Sequence, residues 1–350
     1  MKTKAPASQQ QASNQITEGV IWKQLLIFFF PILFGTFFQQ LYNTADAIIV
    51  GNFVGKEALA SVGGPASTII NLLVGFFVGL SSGATVVISQ HYGGGDDQKV
   101  SDSVHTSIAL AIAGGAVMMV IGLASARFAL SAMATPSDIM EPSLTYMRIY
   151  YLGIIPSMIY NMGSGILRAV GDSKRPLYFL IAACLVNIAL DLILVAGLDL
   201  GVAGAAIATI MSQLISAILT VIALMRTTDS YRLVVSRIRF HKHLLFSIVK
   251  IGLPAGLQSA MYSISNLLIQ SSINSFGTDT IAAWTAYAKV DSIFWMIMSA
   301  YGVSATTFAG QNFGAGKYDR IKKSVRICLG LAAATSIALS FIVLQFGGTI

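Results

Sequence analysis

The sequence predicts an all-α polytopic membrane protein built as two pseudo-symmetric six-helix bundles. Two observations indicate a membrane protein, and an internal repeat indicates the two bundles. The 350 residues are 55% hydrophobic and only 11% charged, with a mean hydropathy of +0.73, whereas soluble domains carry roughly 25% charged residues. Apolar stretches of about 20 residues, the length that crosses a bilayer core, recur from Ile21 onward. This composition excludes a soluble enzyme.

Nine membrane spans are predicted from apolar stretches that are bounded by Gly, Pro and charged clusters. The residues before Val20 are polar and lack the apolar region and cleavage site of a signal peptide, so the first span is expected to direct insertion. The predicted spans are residues 21–50, 62–89, 103–132, 143–167, 177–197, 202–225, 247–275, 281–309 and 325–347.

These spans group into four predicted segments. A polar N-terminal tail covers residues 1–19, and an N-terminal six-helix bundle covers residues 20–226. A basic linker covers residues 227–246, and the first three helices of a C-terminal bundle cover residues 247–350. The two cysteines, Cys184 and Cys328, lie within apolar stretches without metal-binding spacing, so neither a disulfide framework nor a zinc site is predicted.

Basic residues are distributed unevenly between the two sides of the predicted membrane. With the N-terminus placed in the cytoplasm, 18 of the 22 Lys and Arg residues fall on the cytoplasmic side, which is the asymmetry that sets orientation in membrane proteins. The linker is basic and is expected to face anionic lipid rather than nucleic acid. We therefore predict a multi-pass protein of a bacterial plasma (inner) membrane with a cytoplasmic N-terminus.

An internal repeat relates spans one to three to spans seven to nine. Gln90–Gly95 leads into Ser103, and 221 residues later Gln311–Gly316 leads into Ser324. Upstream, Pro31 and its counterpart in the seventh span differ by 223 positions. The repeating unit is thus six helices, and copies of equal orientation are related by an axis along the membrane normal.

The repeat indicates a transporter, because parallel repeats place a binding cavity between two halves that can move against each other. The second copy stops at Ile350, where the first copy would still have three helices to follow. About nine of twelve transmembrane helices are therefore present, and roughly 100 further residues are expected to complete the second bundle.

Three carboxylates fall inside predicted spans, where a charge costs several kcal/mol unless it is paired or hydrated. They are Asp46, Asp191 and Asp291. Asn187 lies one helical turn before Asp191, and Thr209 lies about seven residues from the outer end of its span. With a rise of 1.5 Å per residue, Asp46, Asp191 and Thr209 sit roughly 6–10 Å deep and are placed to meet.

Two carboxylates that share a poorly hydrated site favour binding of a proton, whereas oxygen ligands from Asn and Thr equally suit a hard cation such as Na+. We therefore predict coupling to H+ or Na+, with no cofactor and no metal other than Na+. The alternative is that a neighbouring helix satisfies each carboxylate separately, without function. The predicted ion-coupling residues are Asp46, Asn187, Asp191 and Thr209.

A polar stripe on the first span predicts a substrate-binding face. Gln39, Tyr42, Asn43 and Asp46 stand at i, i+3, i+4 and i+7 and so share one helical face. The seventh span repeats this polar face but has Ile269 where the first span has Asp46. Asn161 fits either a cavity lining or a helix-packing contact. The predicted substrate-binding residues are Gln39, Tyr42, Asn43, Asn161, Gln258, Tyr262 and Asp291.

Together these features resemble the multidrug and toxic compound extrusion (MATE) family over essentially the whole chain from about Val20. The residues that carry the resemblance are Pro31, Gln39-x-x-Tyr42-Asn43-x-x-Asp46, Val50-Gly51, the Gly-rich segments at Gln90 and Gln311, Leu167–Ser173, Asn187-x-x-x-Asp191 and Gly201–Ala206.

The resemblance implies twelve helices in two six-helix bundles that form a V-shaped cleft, and the exchange of protons or Na+ for amphipathic, often cationic, compounds. In the branch of the family with ion-coupling carboxylates in the first bundle, the functional positions match Asp46, Asn187, Asp191 and Thr209, with Gln39 nearby. It also implies small-molecule substrates, and the protein is expected to be a monomer in the lipid bilayer.

The alternatives are a different kind of transporter and two other classes of membrane protein. A flippase for lipid-linked oligosaccharides or other lipids would favour Arg and Lys in the cleft to hold a diphosphate, and intramembrane basic residues are few: Arg127, Arg148 and Lys289. A membrane-embedded enzyme would need a nucleophile with a base or a metal motif such as HExxH, which the sequence lacks. A channel or receptor is disfavoured by the repeat and the intramembrane carboxylates.

Overall fold

The computed structural model describes residues 16–274 and 276–346. Residues 1–15 of the predicted tail and residues 347–350 of the last predicted segment lie outside this range. Within it the chain forms eleven α-helices. They are α1 (Ile21–Phe53), α2 (Lys56–Gly63), α3 (Pro65–Gly93), α4 (Asp97–Ala132), α5 (Ser137–Leu152), α6 (Ile154–Ala169), α7 (Lys174–Asp191), α8 (Gly201–Arg226), α9 (Lys242–Asn274), α10 (Thr278–Gly314) and α11 (Tyr318–Phe346).

Eight helical segments of the described chain are long and apolar enough to cross a membrane. They correspond to eight of the nine predicted spans, with α2 and α3 counted together. The span predicted at 143–167 instead consists of α5 and α6, two helices of 16 residues each that meet at Gly153. Pro156 explains the break, because proline lacks the N–H that would bond to the carbonyl of Leu152 and its ring crowds that carbonyl.

Loops at one end of the molecule bring together the start of α1, the Gly-rich segments, the α6–α7 loop and the residue 227–241 connection. We call this the linker end, and the opposite end, which carries the α1–α2 turn, the far end. Asp96 caps α4 here, since its carboxylate accepts a hydrogen bond from the Lys99 backbone N–H at 3.1 Å. The Lys99 ammonium lies 2.9 Å away, and these bonds hold the pKa of Asp96 below its usual range.

The predicted linker is docked on the N-terminal bundle. Tyr231 and Leu233 are buried, and the Leu233 N–H donates to the Leu224 carbonyl at 2.9 Å. His105, which is 1% exposed on α4, accepts a hydrogen bond from the Val234 N–H at 3.0 Å. The chain between the two halves is therefore fixed to the first half before α9 begins.

The contacts between the two halves of the chain include two seams that the internal repeat relates to each other. One joins α3 to α9, and the other joins α1 to α10. In the α3–α9 seam, glycines let the backbones touch: a Cβ on Gly252 would lie 2.6 Å from the Leu80 carbonyl oxygen, and a Cβ on Gly79 would collide with the backbone of Gly256. Close backbone approach through small residues is typical of helix packing in membranes.

The α1–α10 seam is closed only toward the linker end. There Phe28 packs edge-on against Phe308 with ring centroids 6.0 Å apart, and Phe29 stacks on Tyr301 at 4.2 Å. Toward the far end the two helices separate around a groove of about 690 Å³. This divergence gives the V-shaped arrangement that the resemblance implies.

A short N-terminal segment, Ile16–Gly19, closes the linker end of that seam; we call it the N-terminal strap. Arg320 of α11 donates to the backbone carbonyls of Ile16, Glu18 and Gly19 at 3.2, 2.6 and 2.8 Å. Lys317 donates to the Thr17 carbonyl at 2.9 Å. The N-terminal strap is thus attached directly to the C-terminal half.

Candidate functional site

The N-terminal bundle encloses a polar cavity of about 430 Å³ in its far half. We call it the main cavity. Helices α1, α2, α3, α5, α6, α7 and α8 contribute its walls. The stripe predicted on the first span lies on this wall in full: Gln39, Tyr42, Asn43 and Asp46 all line the cavity.

Asp46 is the carboxylate of the main cavity. Its side chain is 7% exposed, and its Oδ1 has no hydrogen-bond partner among the described residues. Helix α1 places it there because the stripe repeats with the helical period, and the opposite face of the helix carries apolar side chains. A carboxylate in this setting needs a proton, a cation or water as a partner.

Asn187 and Asp191 lie behind the cavity wall on α7 and are fully buried. Both carboxylate oxygens of Asp191 and both amide atoms of Asn187 lack hydrogen-bond partners among the described residues. Helix α7 packs against α1, so Asp191 and Asp46 lie on neighbouring helices. Asp191 also ends α7, where the chain enters a π-helical turn, Leu192–Gly197, a feature that occurs frequently at functional sites.

Thr209 and Asn161 complete the predicted set around the main cavity, which both line. The Thr209 hydroxyl donates to the Ala205 carbonyl at 3.0 Å, which leaves its oxygen lone pairs available. The Asn161 amide donates to the Ser157 carbonyl at 2.9 Å. Asn161 therefore lines the cavity while its amide group forms a hydrogen bond within its own helix.

Three aromatic residues of the site were not among the predicted residues. Tyr146, Tyr150 and Tyr160 line the main cavity, and the Gln213 amide donates to the Tyr150 hydroxyl at 3.4 Å. The sequence did contain a signal for α8, because Thr209, Ser212, Gln213 and Ser216 repeat the i, i+3, i+4, i+7 spacing of α1 and all line the cavity. The tyrosines of α5 and α6 carry no comparable signal.

The predicted residues of the C-terminal half lie away from the main cavity. Gln258 is exposed on α9, and Tyr262 is 44% exposed and lines the groove between α1 and α10. Asp291 is half-buried on α10 and accepts a hydrogen bond from the Tyr287 hydroxyl at 3.5 Å. The structure thus brings the ion-coupling candidates together in the first bundle and leaves these three in the second half.

The sequence of the chain is similar to those of known proteins. The MatE family model matches residues 31–193 and 254–350. The chain is 28% identical over 318 residues to the probable multidrug resistance protein YoeA of Bacillus subtilis, with 89% of this chain and 68% of YoeA covered. It is 31% identical over 322 residues to the probable multidrug resistance protein YpnP of the same organism, with 87% and 68% covered.

Solved structures show the same fold. The outward-facing conformation of a multidrug resistance MATE family transporter matches with a TM-score of 0.88 at 23% identity, covering 97% of this chain and 75% of that one. The relatives and solved structures described here are transporters or multidrug resistance proteins, which confirms that the chain is not an enzyme. Its sequence, its membrane-spanning helices and its two-seamed fold place the chain in the MatE family of membrane transporters.

Proposed function

We propose that the protein is a multidrug efflux antiporter that exports amphipathic, often cationic, compounds in exchange for H+ or Na+. Asp46 and Asp191 bind the coupling ion, with Asn187 and Thr209 as neighbouring oxygen ligands. One observation carries the proposal: a cavity-lining carboxylate on α1 and a fully buried carboxylate on the neighbouring helix α7 lie in the same bundle, and the buried one has no partner among the described residues.

Ion binding relieves an electrostatic cost in this site. Two buried carboxylates that are close together repel each other, and a proton or a Na+ ion removes that repulsion. Carboxylate, amide and hydroxyl oxygens suit both ions. An ion that binds one conformation of the bundle better than the other shifts the population toward that conformation, which is the link between a gradient and movement.

The substrate class is supported by the main cavity and by the relatives. A volume of about 430 Å³ falls within the usual range for drug-sized ligands. Aromatic faces such as those of Tyr146 and Tyr150 attract cations, and a cationic substrate competes with the coupling ion for the charge of Asp46. YoeA and YpnP are both named as probable multidrug resistance proteins.

We propose that the linker end faces the cytoplasm of a bacterial cell and the far end faces outward across the plasma (inner) membrane. The linker end carries most of the basic residues, as the positive-inside rule requires. In this orientation the groove between α1 and α10 opens outward. The protein acts as a monomer, since the proposed site lies within one chain.

Ethidium efflux from cells that express the protein tests the proposal. Wild type is compared with Asp191→Asn, and the proton and sodium gradients are collapsed separately. We expect efflux from wild type, loss of efflux in Asp191→Asn, and loss in wild type when one of the two gradients is collapsed. The gradient whose collapse abolishes efflux identifies the coupling ion.

Glu141→Gln is the matched control, because this exposed carboxylate forms only a distant pair with Arg127 at 3.7 Å. It should export ethidium as wild type does. Absence of efflux from wild type, with the protein present in the membrane, would overturn the proposal and favour the lipid flippase. Full activity of Asp191→Asn would show that Asp191 does not bind the coupling ion.

A further inference from the structure

A second cavity lies in the N-terminal bundle between the main cavity and the linker end. It has a volume of about 80 Å³, which accommodates a few water-sized particles. It shares Gln39, Tyr160 and Asn161 with the main cavity, so the two are neighbours along the bundle. Arg168, at the last turn of α6, is the one ionisable cation among its lining residues. We call this space the Arg168 cavity.

Arg168 has no counter-charge in the described part of the chain. Its Nε is fully enclosed and lacks a hydrogen-bond acceptor, and it forms no ion pair with a described carboxylate. The nearest carboxylate along the chain, Asp172, is engaged elsewhere. One oxygen of Asp172 accepts the backbone N–H groups of Lys174 and Arg175 at 3.1 Å each, and the other pairs with Arg175 Nε at 3.2 Å.

The other lining groups add donors and no negative charge. No Asp or Glu lines the Arg168 cavity. The hydroxyl oxygen of Ser164, which is 1% exposed, also lacks a partner among the described residues. Gln39 and Asn161 contribute amide groups. The cavity is therefore a cation-bearing space between helices, lined by neutral polar and apolar side chains.

The side chain of Arg168 is half-buried with its Nε enclosed, and this setting favours an acceptor that carries negative charge. Arginine has five N–H donors and no acceptor, and it stays charged at any physiological pH. Burial of an unpaired charge is strongly unfavourable. Neutral lining groups satisfy hydrogen bonds but do not offset the charge, so the missing partner has to come from outside the described chain.

We propose that the Arg168 cavity binds a small inorganic anion of the size class of chloride, held by Arg168 and by the hydroxyl of Ser164. The small volume disfavours larger anions, and the absence of a lining carboxylate removes repulsion. The bound anion neutralises Arg168 and stabilises the N-terminal bundle next to the cavity that holds Asp46. This site is separate from the proposed ion-coupling residues, so its existence does not depend on antiport.

Thermal unfolding of the purified protein tests the site directly. Sodium chloride is titrated against sodium gluconate at constant ionic strength and constant sodium concentration, so that only the anion changes. A ligand that binds the folded state raises its stability as the ligand concentration increases. We expect the unfolding temperature to rise by several degrees and to saturate with chloride, and we expect no such rise in Arg168→Met.

Arg175→Met is the matched control, because it removes an arginine seven residues away that is already paired with Asp172. It should keep the chloride response of wild type. Equal unfolding temperatures of wild type in chloride and gluconate would overturn the proposal, and so would an unchanged chloride response in Arg168→Met.

A crystal soaked in bromide, which is close to chloride in size, provides a readout that needs no variant. We expect an anomalous peak within hydrogen-bonding distance of the Arg168 guanidinium. Its absence in wild-type crystals, together with density for water alone at that position, would also overturn the proposal. Therefore the site can be tested even if Arg168→Met fails to fold.

Discussion

The two seams between the halves of the chain occupy equivalent places in the repeat but are built differently. The α3–α9 seam is a backbone-to-backbone contact through glycines over its length, with Gly79 against Gly256 and Gly83 against Gly252. The α1–α10 seam is made of large aromatic side chains at the linker end and gives way to an open groove beyond them.

The difference shows how one fold separates a fixed joint from a movable one. Glycine backbones in contact allow little sliding, since any displacement brings backbone atoms into collision. Aromatic side chains repack more readily, and widening the groove separates no side chains that are packed against each other. The α3–α9 seam is thus suited to act as a pivot, and the α1–α10 seam is suited to open and close beside the main cavity. Four substitutions test this contrast, from the largest expected effect to the smallest.

Gly79→Leu should disrupt the pivot. A side chain here meets the backbone of Gly256, which has no flexible part that can move away. We expect a loss of about 3 kcal/mol or more, at or beyond the upper end of overpacking costs, seen as loss of the monodisperse peak in size-exclusion chromatography. Gly302→Leu on α10 is the control, because a Cβ there meets no atom within 4 Å. Equal behaviour of the two variants would contradict a glycine-dependent seam.

Phe308→Ala should weaken the closed part of the α1–α10 seam. Phe308 is fully buried and packs on Phe28. In a water-soluble protein, replacing a buried Phe by Ala lowers the free energy of unfolding by about 3–5 kcal/mol. Because lipid tails are as apolar as the phenyl ring, we expect a smaller loss of about 2–3 kcal/mol here. Thermal unfolding measures the change. Phe341→Ala, which alters a 66% exposed side chain on α11, should have little effect.

Arg320→Met should release the N-terminal strap while leaving the helices intact. The guanidinium donates to three strap carbonyls and to the Gln24 side chain at 3.0 Å. We expect a loss of about 1–2 kcal/mol, since charged hydrogen bonds at a partly exposed site contribute modestly, and faster proteolysis near Glu18. Exposed Lys322→Met serves as the control. A strap that stays protected in Arg320→Met would show that other contacts hold it.

Trp295→Ala at the open groove should change stability least. Trp295 on α10 is 49% exposed, and its ring centroid lies 4.9 Å from that of Tyr262 on α9. We expect a change of about 0.5 kcal/mol or less in thermal unfolding, typical of exposed positions. Tyr301→Ala in the closed part of the same seam should cost clearly more. A large loss in Trp295→Ala would mean that the groove is not a movable region.

Much of the helical arrangement is predictable from the sequence because apolar length and polar stripes are local properties. The extents of the spans and the inward face of α1 follow from them. The break at Gly153 is also local and follows from Pro156, but an apolar stretch of spanning length conceals it. The placement of Asp191 behind the cavity depends on which helices pack together, and that is decided by side-chain volumes across the bundle.

The site is predictable where polar residues share one face and unpredictable where single aromatic residues contribute. Thr209 and Gln213 belong to a stripe, whereas nothing in the sequence distinguishes Tyr146 and Tyr160 from tyrosines that only pack between helices. The unpaired state of Arg168 is likewise invisible in the sequence, since four residues later Asp172 offers an apparent partner. Only the structure shows that Asp172 is engaged with α7 and Arg175.

The Gly-rich segments at the linker end also preserve a trace of ancestry. A Cβ on Gly93 would lie 2.6 Å from Gln311 Cα, and a Cβ on Gly314 would lie 2.8 Å from the Gln90 carbonyl carbon. Gly93 and Gly314 are equivalent positions in the repeat, and so are Gln90 and Gln311. Each contact therefore joins the glycine of one repeat to the glutamine of the other, as in two identical subunits related by a two-fold axis. A gene duplication that fused such subunits would inherit one contact twice, and each copy would constrain how far the other can diverge.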